Sequence, residues 1–231
     1  MSVYACTDLH GRYDLYLQIK KFLRPEDKVY FLGDAGDRGP DSWKLIKAIL
    51  KNKQFIYLKG NHEDMLAATM KDYIEDEMMG YNHHLLCSNG GENTFSEWSL
   101  DEYRNNWYHV IKNLPIHAEY DNKQGFHIIL THAGFTPNKL TMPTDDDLLW
   151  DREHIYDEWP ADCANTVLII HGHTPTLHLA KRLNKSYEPG AFWYCNDHKV
   201  CLDTGAYATN HTCLLDLDTF DEHIFQIEEL Y

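Results

Sequence analysis

The chain has 231 residues, 43% of them hydrophobic and 25% charged; that is one domain or at most two small ones, with enough apolar material to exclude disorder as the main state. Twenty-one basic against 36 acidic residues leave a net charge of −15 with histidine neutral. Such a surface repels phosphate backbones and anionic lipid, which argues against a nucleic-acid polymer or a membrane as partner, and an anionic substrate would need positive charge supplied by the site itself.

The N-terminus, Met-Ser-Val-Tyr-Ala-Cys-Thr-Asp, has neither a basic nor an apolar leader segment, so no signal peptide is expected. A strand over 3–7 runs into Asp8-Leu9-His10-Gly11, and a helical pattern follows over 13–23 through Leu15, Ile19, Phe22 and Leu23. The second strand, 28–32, ends at Gly33-Asp34; Pro40 then suits the first position of a helix carrying Leu45, Ile46, Ile49 and Leu50 on one face. A third strand, 54–58, ends at Gly60-Asn61-His62-Glu63. This alternation predicts an α/β fold with parallel strands and functional loops at their carboxyl ends.

Residues 64–115 are polar and helical in tendency, broken at Asn89-Gly90-Gly91, and carry Trp98, Tyr103, Trp107 and Tyr108. They read as a helical insertion over one edge of the core. Its aromatic cluster suits helix packing, with one wall of a substrate groove as the alternative. Strands over 126–130, 166–170, 191–194, 200–202 and 212–217 follow, several close enough for hairpins, so the second half is expected to add an antiparallel or mixed sheet. No repeat, linker or low-complexity tract divides the chain, and 1–231 reads as a single domain. No apolar run approaches the roughly 20 residues of a membrane span. Six scattered cysteines form no C-x-x-C pair and read as buried or idle thiols in a reducing compartment, which points to the cytoplasm.

Fifteen histidines are many, and their positions matter more than their number. Five segments put ligand-type residues just after predicted strands: Asp8-x-His10, Gly33-Asp34-x-x-Asp37-Arg38-Gly39, Gly60-Asn61-His62-Glu63, His132-Ala133-Gly134 and His171-Gly172-His173-Thr174-Pro175. One carboxylate or imidazole at a strand end is more often a cap, and the glycines alone could mark tight turns. Five such turns together can converge on one edge of a sheet. Oxygen and nitrogen donors without thiolate suit manganese, iron or zinc.

In that order these motifs resemble the phosphoprotein phosphatase family of calcineurin-like metallophosphoesterases, with the closest likeness to its bacterial and phage-type serine/threonine phosphatase branch. The resemblance runs from Val3 to Leu202-Asp203-Thr204-Gly205. It implies an αββα sandwich, two mixed β-sheets flanked by helices, and two divalent metal ions, manganese first. Asp8 and His10 would hold one metal, Asp34 would bridge, and Asn61, His132 and His173 would complete the second site. A metal-bridging hydroxide would attack phosphorus directly, with His62 as general acid and Asp37 orienting it. Arg38, and Arg152 after Leu149-Trp150, would grip phosphate. No serine or cysteine nucleophile is needed, and no phosphoenzyme is expected.

Other readings stand beside these. Arg38 and Arg152 could be surface ion-pair partners; Asp203 suits support of the site better than ligation; His171 could only pack or donate a hydrogen bond; Glu63 suits the helix start. The remaining ten histidines, His83, His84 and His211 among them, read as surface or satisfied residues. Two departures are visible: Thr7 stands where the family often has glycine, and the insertion matches no familiar variant, which leaves the substrate open. The leading expectation is hydrolysis of phosphoserine and phosphothreonine in a protein or peptide. The competing one is hydrolysis of a dinucleoside polyphosphate such as diadenosine tetraphosphate. A phosphate-binding module without activity is the third.

Overall fold

The computed structural model of the chain describes residues 1–76, 80–137, 143–161 and 163–227. Three short apolar runs form the parallel strands β1 (Val3–Cys6), β2 (Lys28–Phe31) and β3 (Phe55–Tyr57), joined by the crossover helices α1 (Tyr13–Phe22) and α2 (Ser42–Lys51). Successive side chains leave a strand on opposite faces. In β1, Val3 and Ala5 enter the core between two sheets, while Tyr4 and Cys6 pack under the helices.

Helices α3 (Asn61–Asp76), α4 (Tyr81–Ser88), α5 (Glu92–Ser99) and α6 (Arg104–Lys112) occupy the stretch read as a helical insertion over 64–115, of which 77–79 lie outside the described residues. Their buried side chains join the apolar cluster that α1 and α2 form with the first sheet. Phe95, Trp98 and Ile111 join Leu45, Ile49 and Phe31 in one apolar cluster. The aromatic residues are packing groups: Trp98 is fully buried, and Trp107 meets Trp43 edge-on at 6.1 Å. Tyr103 alone among the four is largely exposed.

The second sheet has the order β4 (His117–Asp121), β5 (His127–Thr131), β6 (Val167–His171), β8 (Lys199–Cys201), β7 (Phe192–Tyr194); its three central strands are parallel and both edges antiparallel. Leu130, Leu168, Ile170 and Val200 face Val3, Ala5 and Leu32 across the sandwich. The remaining strands correct the expectation for the second half. The hairpin of β9 (His211–Asp216) and β10 (Glu222–Gln226) pairs antiparallel with β1 and so completes the first sheet, not the second. Both sheets are therefore mixed, with five strands each among the described residues.

Strands β4 and β10 lie outside the predicted set, whereas the other two edges, β3 and β7, read as the apolar runs Phe-Ile-Tyr and Phe-Trp-Tyr. The sequences of β4 and β10, His-Ala-Glu-Tyr-Asp and Glu-His-Ile-Phe-Gln, show no apolar run, and an edge strand needs apolar residues on one face only. Helix α2 starts at Ser42 with Asp41 as its N-cap, so Pro40 is not its first residue. The left-handed turn at Asp37 and Arg38 takes up the chain until then. Three short helices complete the set among the described residues: α7 (Asp145–Trp150), held by a capping box between Thr144 and Asp147, α8 (Thr176–Arg182) and α9 (Ala206–Thr209). No helix among the described residues is long and apolar enough to cross a membrane.

Candidate active site

Strands β1, β2, β3, β5 and β6 deliver their carboxyl ends to one edge of the sandwich, and the five motifs follow there: four lie on the loops, with His171 closing β6, and Asn61-His62-Glu63 opens α3. The loops are tightly bent. Asp8, His10, Asp34, Asp37, Arg38 and His173 all have left-handed backbone, with φ between 40° and 67°. Residues with a side chain adopt that conformation at a cost of about 1–3 kcal/mol each, so the surroundings must hold them there. Two glycines permit the crowding. A Cβ on Gly60 would strike the Asp34 carboxylate, and one on Gly172 would strike that of Asp8.

Glu63 does much of the holding. Its Oε2 accepts from the Asp34 and Gly60 N–H groups at 2.7 and 2.9 Å, and its Oε1 from Ala35 N–H at 3.0 Å and the Tyr57 hydroxyl at 2.7 Å. It is thus a buried clasp between the Asp34 loop and the start of α3, more than a helix cap. Thr7, the residue in the family's glycine position, donates to Asp8 Oδ2 at 2.6 Å, and His173 N–H donates to the same oxygen at 3.0 Å. Asp8 Oδ1 is left facing His10 Nε2 at 3.8 Å.

The ligand-type atoms fall into two groups that share Asp34: His10, Asp34 and His62 on one side, Asp34, His132 and His173 on the other. Asp34 Oδ2 lies 3.6 Å from His10 Nε2, and Oδ1 lies 3.4 Å from His132 Nε2, so its two oxygens face the two groups. Asn61 Oδ1 lies 2.9 Å from His132 Nε2 and 3.0 Å from His173 Nδ1. The Nδ1 of His132 donates to Leu32 O at 2.8 Å, and that of His10 to Gly36 O at 2.8 Å. Both therefore present Nε2 lone pairs to the site.

That donor set fits divalent cations. The His132 lone pair faces the Asn61 carbonyl oxygen, acceptor against acceptor, and His173 Nε2 is buried with no partner among the described residues. Burial lowers the pKa of His10, His132 and His173, keeping each imidazole neutral, the ligand form. Burial, then Asp8, then Glu63 push the Asp34 carboxyl well above the usual range. A cation between these groups relieves that crowding.

His62 belongs to the first group by distance, while Asp8 stands beside it. The hydrogen bonds distinguish the two. His62 Nδ1 lies 2.6 Å from Asp37 Oδ2, and Arg38 Nη2 donates to His62 Nε2 at 2.9 Å. Arg38 Nη1 donates to His10 Nε2 at 2.8 Å. Asp37 is pushed up to about 7 by burial, opposed by the Thr94 hydrogen bond and by Arg38. The insertion fixes this pair: Asp37 N–H donates to Thr94 Oγ1 at 3.1 Å and Arg38 N–H to Gly90 O at 2.9 Å. Arg152 Nη1 donates to Thr174 Oγ1 at 2.9 Å, beside His173. Neither arginine has a carboxylate within ion-pair distance among the described residues, so the surface ion-pair reading does not describe them.

The structure thus brings together Asp8, His10, Asp34, Asp37, Arg38, Asn61, His62, His132, Arg152 and His173. His171 stays outside both groups and contacts Gly172 O and the Tyr194 hydroxyl. Asp203 is buried and accepts from Gly205 N–H at 2.8 Å. The supporting contacts of Glu63, Thr7, Thr94 and Gly90 escape the sequence reading. Only Glu63, inside its motif, carries a signal that could have shown them.

The family model described as calcineurin-like phosphoesterase matches residues 1–204. The chain is 24% identical over 200 residues to an asymmetrical bis(5'-nucleosyl)-tetraphosphatase of Anoxybacillus flavithermus, covering 73% of this chain and 76% of that protein. It is 40% identical over 159 residues to a Caenorhabditis elegans protein that bears a provisional serine/threonine-protein phosphatase name. That match covers 64% of this chain and 30% of the relative's length. Among solved structures, one provisionally named a diadenosine tetraphosphatase superposes with a TM-score of 0.63 at 16% identity, covering 97% of this chain and 92% of the other.

Proposed function

This chain belongs to the calcineurin-like phosphoesterase family, and on that premise we propose that it hydrolyses phosphate monoesters of serine and threonine in a protein or peptide. It is a metallophosphoesterase, and its family and donor groups imply divalent metals. The observation that carries the monoester reading is the buried pair of His62 Nδ1 and Asp37 Oδ2 at 2.6 Å. A serine or threonine alkoxide is a poor leaving group and needs a proton as the P–O bond breaks; an acid placed for that is worth roughly 10²–10⁴-fold. A phosphate leaving group, as in a polyphosphate, depends on that proton far less.

In this reading Asp37 accepts from Nδ1 and holds the imidazole so that Nε2 faces the scissile oxygen; for Nε2 to give a proton there, Arg38 must move from it to the phosphoryl oxygens and the imidazole must take up a proton, against the downward pull of burial and of Arg38 on its pKa. Arg38 and Arg152 grip the non-bridging oxygens of the phosphoryl group; a guanidinium fork matches two of them at once. The positive charge of these two side chains answers the acidic surface. Asp8, His10 and Asp34 would hold one divalent cation, and Asp34, Asn61, His132 and His173 a second. Two such cations, when bound, would supply Lewis-acid charge at phosphorus and make a bound water easier to deprotonate. Manganese is the first choice for assay, ahead of iron or zinc.

A second reading, hydrolysis of a dinucleoside tetraphosphate by the same residues, is favoured by the Anoxybacillus flavithermus relative, which the chain matches over most of both lengths. The half-exposed Trp150, whose ring lies 6.5 Å from that of His173, offers a surface for a base to stack on. The deciding experiment compares rates on a phosphothreonine peptide and on diadenosine tetraphosphate with manganese-loaded protein, products resolved by chromatography. Preference for the peptide supports the monoester reading; preference for the dinucleotide overturns it and keeps the site. His62→Ala is expected to lower peptide turnover at least a hundredfold with metal content kept. An unchanged rate removes His62 as the acid. Asp34→Asn is expected to lower metal content itself.

A further inference from the structure

Lys199, the first residue of β8, is fully buried. Among the described residues it has no carboxylate within ion-pair distance. A buried ammonium without a counter-ion is costly unless every N–H is used. Here all three find acceptors: His154 O at 2.7 Å, Thr136 Oγ1 at 2.6 Å and His154 Nδ1 at 3.4 Å. Burial lowers its pKa to about 8.

The acceptors belong to the two segments that carry site residues. His154 Nε2 donates to Ala133 O at 2.8 Å, the carbonyl directly after His132, which leaves Nδ1 free to accept from Lys199. The ring of His154 lies against Gly134, where any Cβ would collide with it. Thr136 is three residues beyond Ala133, in the same turn. Two residues before His154 stands Arg152, whose only hydrogen bond to a described residue is the one to Thr174. Arg152 sits between α7 and the 3-10 turn His154–Tyr156, on a segment with little regular structure of its own.

We propose that Lys199 is a positioning residue for phosphate binding: it fastens the His154 segment to the His132 turn, and so sets where the guanidinium of Arg152 points. The proposal rests on the reading of Arg152 as a phosphate-binding group. Lys199 touches no reacting atom. It works at the inner end of a tether whose outer end is Arg152.

A double-mutant cycle tests it, with Lys199→Met, Arg152→Ala and the double variant. Two quantities are read: KM and kcat for p-nitrophenyl phosphate on manganese-loaded protein, and the dissociation constant of inorganic phosphate by calorimetry. Arg152→Ala is expected to raise both KM and the phosphate constant about tenfold or more, through loss of a charge-assisted contact. Lys199→Met is expected to raise both about fivefold with kcat changed less than about threefold, and to add less than about twofold in the Arg152→Ala background. If the two effects multiply, Lys199 does not act through Arg152 and the proposal falls while the Arg152 reading stands. If Arg152→Ala leaves both quantities unchanged, the phosphate-binding reading falls and the proposal with it. Should Lys199→Met fail to fold, Thr136→Val removes one acceptor and keeps the shape. It is expected to raise the phosphate constant about twofold in the wild-type background and not in Arg152→Ala. No change in either background overturns the proposal.

Discussion

Replacing Glu63 with glutamine tests whether the clasp, and not the metal ligands alone, holds Asp34 in its left-handed conformation. The side chain keeps its volume, so no cavity forms. What changes is that one acceptor oxygen becomes an NH₂ donor. If the amide places nitrogen at the Oε2 position, it meets the N–H groups of Asp34 and Gly60, two donors against a donor. The other orientation is better, because the Tyr57 hydroxyl can turn to accept; only Ala35 N–H then faces a donor. One buried unsatisfied donor costs about 1–3 kcal/mol, and the retained bonds to Asp34 and Gly60 lose their charge assistance, about 0.5–1 kcal/mol each. Relief of the repulsion that Glu63 exerts on Asp34 offsets part of this in metal-free protein, so the comparison belongs in excess manganese. The expected loss is about 3 kcal/mol of unfolding free energy in urea, together with weaker metal binding by calorimetry. A loss below about 0.5 kcal/mol with unchanged metal affinity would refute the argument.

Gly172→Ala puts a methyl group against Asp8 and Thr7 and is expected to weaken binding of the first cation at least tenfold, read by metal analysis after dialysis. Trp98→Ala empties a fully buried position on α5, whose indole N–H reaches Arg104 O at the start of α6, and is expected to cost about 3–5 kcal/mol in urea unfolding, with the substrate preference unchanged. Asp101 gives a pH test away from the site. Burial pushes its carboxyl up, but hydrogen bonds from Lys47, Tyr103 N–H and Trp43 outweigh that and lower it to about 2. Its folded pKa is thus depressed, so the stabilisation is present above the ordinary carboxylate pKa and lost as pH falls from 4 towards 2. Asp101→Asn is expected to cost about 1 kcal/mol at pH 7, allowing for solvent screening, and progressively less below pH 4. An equal cost at pH 7 and pH 3 would contradict the assignment.

The alternation of β1, α1, β2, α2 and β3 is legible in the sequence, because parallel strands read as short apolar runs and amphipathic helices as a 3.6-residue period. The sequence also marked the five motifs, since an α/β sheet places them at strand carboxyl ends, where glycine, carboxylate and imidazole stand out against apolar neighbours. Strands β4 and β10 stayed hidden because polar and charged residues interrupt their apolar ones, and the docking of β9 and β10 beside β1 is a pairing between distant segments that no local pattern encodes. The supporting contacts were hidden for the same reason. Glu63 bonding to Asp34 and Ala35, Thr94 and Gly90 bracing Asp37 and Arg38, and Lys199 reaching His154 join residues 28 to 57 positions apart in sequence. Each residue type there is ordinary at its own position. Its role exists only once the strands and helices have brought its partner within 3 Å or so; the residues that do the chemistry are written in local motifs, and the groups that hold them in place are decided by tertiary packing.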